Sequence, residues 1–217
     1  MKPYYEHAGI TIYHGDCREI LPTLPDGAIV SDPPYGMKWD ASTKVRGFFP
    51  GDKRIRASAK VKWEPIAEDN KPFDPSFMLS RKEVILWGFN HFPQHLTKGT
   101  ALVWLKRYDD GFGSFLSDAE IAWMNKGCGV YCKRDVSMQG KSSTRVHPAQ
   151  KPVDLLQWCI GFVDAQTILD PFMGSGTTLV AAKNLSRKAV GIEIEERYCE
   201  IAAKRLSQEV FDFAGSK

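Results

Sequence analysis

The chain has 217 residues, of which 43% are hydrophobic, 12% aromatic and 25% charged. That balance excludes a disordered or fibrous chain, and the length suits one main domain with a substantial core rather than two domains and a linker. The net charge is only +3, and the five cysteines form no Cys-x-x-Cys pair, so neither a disulfide framework nor a zinc ribbon is indicated and a reducing cytoplasm is the expected setting.

From Met1 to Cys17 polar and apolar residues alternate, with no basic segment leading into a long apolar run, and no later stretch reaches membrane-spanning length. Neither secretion nor a membrane is expected. Ile10 to Tyr13 predicts a short strand leading to Gly15-Asp16-Cys17, and Ala28 to Ser31 a second strand that runs into Asp32. The stretch 36–75 is rich in Lys, Arg, Gly, Pro and Ser without a sustained period and reads as a long insertion. Between Gly36 and Lys62 it holds eight Lys and Arg against two Asp, so the rest of the chain is net acidic. A basic segment on a slightly acidic body suits a loop that binds a polyanion, with Lys53, Arg54, Arg56 and Lys60 as its candidate contacts. A solvated surface loop accounts for the charge equally well. Trp39, Phe48, Phe49 and Trp63 lie in or beside that segment, either as stacking groups or as anchors for the loop.

Glu83 to Trp87 and Thr100 to Leu105 predict two buried strands with a short helical piece near Asn90 to Leu96 between them. The segment 106–146 is interrupted by glycines at 111, 113, 127, 129 and 140 and reads as a second variable region. Pro152 then opens a helix whose Leu155, Leu156, Cys159, Ile160 and Val163 recur at helical spacing. A strand from Thr167 ends on Asp170, a glycine turn leads into a helix from Thr177 to about Leu185, and a strand from Ala189 ends on Glu193. An amphipathic helix with Tyr198, Ile201, Ala202 and Leu206 closes the pattern. Strand, helix, strand, helix makes a unit of an open α/β fold with a mainly parallel sheet and helices on both faces.

Two motifs carry chemistry. In Asp170-Pro171-Phe172-Met173-Gly174-Ser175-Gly176-Thr177-Thr178, glycines between a strand and a helix let a ligand approach the backbone at an electropositive helix end. Glu193, at the end of the next strand, is placed to accept hydrogen bonds from the two ribose hydroxyls of an adenosine cofactor. No Lys follows Gly176, which disfavours a P-loop, and the third glycine of a dinucleotide fingerprint is missing. Alone, the turn is compatible with a purely structural role. The second motif, Asp32-Pro33-Pro34-Tyr35, is a rigid, extended segment at a strand end. It presents a carboxylate, the Pro33 carbonyl and an aromatic ring. Two acceptors that hold both hydrogens of an exocyclic amine favour a pyramidal nitrogen able to attack a sulfonium methyl, and the ring can stack on a base. A turn that merely ends the strand is the plainer alternative. His91 and His95 flank Pro93 with no carboxylate or Cys to complete a ligand set, and no metal is expected.

Asp32-Pro33-Pro34-Tyr35 together with Pro171-Phe172-Met173-Gly174-Ser175-Gly176 resembles the amino-methyltransferases that act on DNA, and catalytic loop first, glycine turn last, is similar to their β class. The resemblance runs from Gly15 to about Leu206 outside the two variable stretches. It implies a Rossmann-like methyltransferase fold, S-adenosyl-L-methionine as cofactor and DNA as partner, with base flipping. It also implies catalytic roles for Asp32, Pro33, Pro34 and Tyr35, and cofactor contacts from Asp16, Cys17, Asp32, Asp170, Phe172, Gly174, Ser175, Gly176, Thr177, Thr178 and Glu193. Lys151, in His147-Pro148-Ala149-Gln150-Lys151-Pro152, is carried over as a cofactor-side residue. Asp at the head of the tetrapeptide goes with adenine N6, where cytosine N4 enzymes usually carry Ser. The segment 106–146 is small for a target-recognition region, so selectivity is either limited or shared with the basic loop or with a second copy in a homodimer. The alternatives are an N4-cytosine enzyme, an RNA or protein-glutamine amino-methyltransferase, and a noncatalytic DNA-binding module.

Overall fold

The computed structural model describes residues 2–37, 67–113, 117–137 and 150–207. In chain order these form β1 (Tyr5–His7), β2 (Ile10–His14), α1 (Cys17–Ile20), β3 (Ala28–Ser31), β4 (Val84–Trp87), β5 (Thr100–Leu105), β6 (Ala119–Met124) and β7 (Val130–Arg134). The second half adds α2 (Val153–Ile160), β8 (Thr167–Asp170), α3 (Thr177–Asn184), β9 (Lys188–Glu193) and α4 (Glu196–Ser207).

The strands make one sheet in the order β1-β2-β9-β8-β3-β4-β6-β5-β7. β2, β9, β8, β3 and β4 run parallel, whereas β6 is antiparallel to both of its neighbours and β1 is antiparallel to β2. The central strands are largely apolar because both faces are covered. Ala28 and Val30 pack with Leu155, Leu179 and Cys199 of α2, α3 and α4, while the intervening Ile29 packs with Ile20, Phe73, Met78 and Phe92 on the opposite face. Each such fully buried Ile or Leu contributes about 1.5–3 kcal/mol. No helix among the described residues is long and apolar enough to cross a membrane.

The structure adds an edge strand β1 that the sequence does not predict, and it differs from the sequence expectation at two further points. The segment 106–146, read as a variable region, supplies β6 and β7, and β6 sits inside the sheet between β4 and β5. Two of the glycines that obscured this pattern, Gly127 at φ +75° and Gly129, lie in the link between the two strands. The helical piece near 90–96 is two 3-10 turns, Phe89–His91 and Pro93–His95, separated at Phe92 where the backbone must turn ahead of a proline.

Sheet order explains where a site can form. β2, β9, β8 and β3 are consecutive parallel neighbours, and each ends at or just before an acid: Asp16, Glu193, Asp170 and Asp32. β8 and β3 lie side by side although Ser31 and Asp170 are 139 positions apart. The chain changes direction across the sheet at this pair, which is where open α/β sheets bind ligands.

Candidate active site

Asp32 follows β3 directly, and its side chain is about one-fifth exposed. Its two carboxylate oxygens have different partners. Tyr35 donates its hydroxyl to Oδ1, and the Lys151 ammonium closes on Oδ2. Burial pushes the Asp32 carboxyl up from its ordinary value, and the Lys151 charge opposes that rise. Lys151 is 6% exposed; burial alone would depress it, but Asp32 and Glu120 hold its pKa above the usual lysine value, so it is a charged ammonium. Burial, then the neighbouring Asp32 charge, also pushes the Tyr35 hydroxyl well above its usual range, so it remains a donor.

The Tyr35 ring is stacked on His91, with centroids 4.8 Å apart and planes 7° from parallel. Its place depends on Gly88, which has φ +71°; a Cβ there would lie 2.2 Å from the ring atoms Cε1 and Cζ. Gly88→Ala is therefore expected to displace the ring and to impose about 1–2 kcal/mol of backbone strain. A thermal-unfolding double-mutant cycle with Tyr35→Ala should recover part of the stability loss. Full additivity of the two substitutions would remove this contact from the account. Downstream, Asp69 accepts from the backbone amides of Gly36 (2.8 Å) and Met37 (3.0 Å) and so holds the exit of the Asp-Pro-Pro-Tyr loop.

On the neighbouring strand, Asp170 is buried and accepts from Ser31 Oγ at 2.6 Å and from the Phe172 amide at 3.1 Å. Burial raises its pKa to about 6 against these bonds and one from Thr178. Glu193 accepts from the Gly174 amide at 2.9 Å and the Glu195 amide at 2.8 Å, and burial raises it to about 7. The turn itself requires Gly176, at φ +78°, where a Cβ would meet Ala202 of α4 at 2.7 Å. Arg205, also on α4, donates to the Ser175 carbonyl, to Ser175 Oγ (3.1 Å) and to Thr177 Oγ1 (3.2 Å).

One cleft lies between the two loops. Asp32, Lys151, Asp170, Phe172, Gly174, Ser175, Thr177 and Thr178 line it, as do Trp87 and Gln150, which the sequence analysis did not assign to the site. Glu193 and Asp16 lie beyond this lining. Asp16 accepts from the Arg18 amide at 2.8 Å and caps α1, and Cys17 is packed beneath it with its thiol pushed up to about 12 by burial. The Gly15 amide donates to the Glu193 carbonyl at 2.9 Å, which ties the Asp16 loop to the end of β9. Among the described residues His91 stacks on Tyr35 and His95 lies 3.4 Å from Asp74. Lys53, Arg54, Arg56 and Lys60 lie outside the described residues.

The cleft suits a cationic nucleoside. Its carboxylates Asp32 and Asp170 favour positive charge, Phe172 offers a ring, and the fully buried indole N–H of Trp87 has no acceptor among the described residues, a mark of a site shaped for a polar ligand. The fold is that of S-adenosyl-L-methionine-dependent methyltransferases. A family model for DNA methylase matches residues 117–204. The Type II methyltransferase M2.DpnII of Streptococcus pneumoniae is 27% identical over 96% of this chain and 93% of its own. Among solved structures, the M1.HpyAVI complex with S-adenosylmethionine aligns over 90% of this chain and 99% of its own, at 23% identity and a TM-score of 0.53. The cytosine-N4-specific PvuII DNA methyltransferase aligns over 97% and 91%, at 14% identity and a TM-score of 0.61. The chain is thus similar, over the family-model match and nearly its full length in these relatives, to DNA methylases of the type that modify amino groups.

Proposed function

We propose that the protein transfers a methyl group from S-adenosyl-L-methionine to the N6 amine of adenine in DNA, with the target base flipped out of the duplex. The observation that carries this reading is Asp32 at the head of a rigid loop, beside the cofactor turn, with Tyr35 next to its carboxylate. The likeness to PvuII, at 14% identity, speaks to the fold and leaves the base to be argued from Asp32.

In this reading the cofactor supplies an electrophilic methyl on a sulfonium. Asp170, Phe172, the turn 174–178 and Glu193 would hold it, Glu193 as acceptor for ribose hydroxyls, with Asp16 and Cys17 on the adenine side. Asp32 and the Pro33 carbonyl would accept the two amine hydrogens and free the nitrogen lone pair to take the methyl. The C–S bond would break to leave a neutral thioether, and the nitrogen would lose one proton to Asp32 or water. Tyr35 turns from Asp32 to the base and stacks on it, so the carboxylate exchanges a phenol donor for an amine donor. Lys151 keeps Asp32 ionised in a buried setting and so serves the catalytic loop as well as the cofactor side. The unit 1–217 acts as one methyltransferase domain. Target recognition is shared between the loops outside β6 and β7 in 106–146 and the basic stretch within 36–75, and a second copy in a homodimer would extend that surface.

DNA copied with N6-methyl-dATP in place of dATP is expected to take up no labelled methyl, while DNA copied with N4-methyl-dCTP does. The reverse pattern would assign the enzyme to cytosine. Neutralising Arg54 and Arg56 should weaken DNA binding and lower the slope of log affinity against log salt by about two, one per lost phosphate contact. An unchanged slope would remove the basic loop from the interface.

A further inference from the structure

Glu120 lies on β6, opposite Trp104 in the sheet, in the otherwise apolar strand Ala119–Met124. Its carboxylate is fixed at both oxygens, Oε1 at 2.9 Å from Lys106 Nζ and Oε2 at 3.1 Å from Lys151 Nζ. Lys151 in turn grips Asp32 Oδ2 and lies 5.4 Å from the Trp87 ring centroid. The four side chains form an alternating row, Lys106, Glu120, Lys151, Asp32, with Tyr35 at its far end. The row is neutral in sum. An isolated Lys–Asp pair would suffice to neutralise Asp32, so the second pair does something else: it fixes the buried ammonium from behind and takes part of its charge.

We propose that Glu120 is a positioning residue for methyl transfer, acting through Lys151 to set the direction and charge of the Asp32 carboxylate. The inference rests on the reading of Asp32 as the acceptor for the target amine. A Lys151 that answered to Asp32 alone would clamp the carboxylate and compete with the incoming amine. Divided between two carboxylates, it keeps Asp32 ionised yet able to accept. Burial would raise Glu120, but Lys151 and Lys106 hold it down to about 2, so it is charged wherever the enzyme operates. The charged and titratable groups facing Asp32 are Lys151 ahead of α2, Tyr35 on its own loop, Glu120 on β6 and Asp170 on β8.

The row predicts opposite responses at its two ends. Glu120→Gln leaves Lys151 to Asp32 alone, so the acid limb of the kcat–pH profile moves to lower pH and kcat falls about tenfold or more, with KM for cofactor within about twofold. Lys106→Met leaves Glu120 to Lys151 alone, weakens the hold on Asp32 and moves the acid limb to higher pH. Glu120→Asp, which retains the charge, restores the wild-type limb. The assay is labelled-methyl transfer to unmodified DNA whatever the base, on variants checked for wild-type thermal unfolding. If Glu120→Gln does not fold, the Lys106→Met shift decides. Acid limbs that coincide with wild type, or shifts of the same sign, overturn the inference. Absence of transfer by the wild-type protein would instead overturn the functional reading beneath it.

Discussion

Asp32→Ala is expected to lower methyl transfer by about a thousandfold while cofactor binding stays measurable. The two effects separate because Asp32 follows β3, whereas the turn 174–178 follows the neighbouring β8 and Glu193 ends β9. Removing one preorganised acceptor of a developing charge costs about 10²–10³ in rate, and here the loss is compounded. Without Asp32, Lys151 keeps Glu120 but loses its closest anion, and the Tyr35 hydroxyl loses its acceptor. A buried ammonium left at the amine site repels the positive charge that builds on nitrogen as it attacks the methyl. Asp32→Asn should retain more of the loop geometry and show a comparable rate loss, because an amide carries no charge to balance Lys151. Single-turnover rates and equilibrium cofactor binding on the same preparations measure both halves. Loss of cofactor binding in parallel with the rate would show that Asp32 belongs to the cofactor site.

Glu193→Ala is expected to weaken cofactor binding about a hundredfold, through two losses. In the proposed arrangement the ribose hydroxyls would lose their acceptor, and the amides of Gly174 and Glu195 lose the carboxylate that orders the turn. The native residue also makes binding depend on pH. Burial raises Glu193 to about 7 and Asp170 to about 6, so folding favours their protonated forms. The apo protein should therefore lose stability as pH rises from the ordinary carboxylate range through about 7. Cofactor binding has the opposite sign: a ribose hydroxyl donates to a carboxylate and a sulfonium favours anions, so binding releases protons and tightens up to about pH 8. The rise in Tm caused by cofactor should be larger at pH 8 than at pH 6, and Glu193→Gln should flatten that difference. A cofactor affinity that falls as pH rises would reverse the role given to Glu193.

The fold was legible where burial on both faces makes strands read as apolar runs. β3 and β5 have the bounds that their sequences predict, and α2, α3, β9 and α4 lie close to expectation, because Val, Ile and Leu runs end on an acid or a glycine. β7 was not legible, since Val130, Tyr131 and Cys132 face solvent and no alternation survives on this outer strand. β6 was hidden by its own Glu120. A charge inside Ala-Glu-Ile-Ala-Trp-Met demands a partner, and that was the available signal, but nothing local tells that the partners are Lys106 and Lys151. Asp69 and Arg205 were missed for the same reason: their work is on backbone amides and carbonyls more than 25 residues away. The motif points to Lys151 on the cofactor side, but its ion pair with Asp32 spans 119 positions and leaves no local signal in the sequence.

The central claim is that the loop led by Asp32 methylates adenine. Incubation with unmodified DNA and cofactor labelled in its methyl group, followed by digestion and nucleoside separation, tests it most directly. The label is expected in N6-methyldeoxyadenosine. Label in N4-methyldeoxycytidine, or none in DNA, would contradict the account.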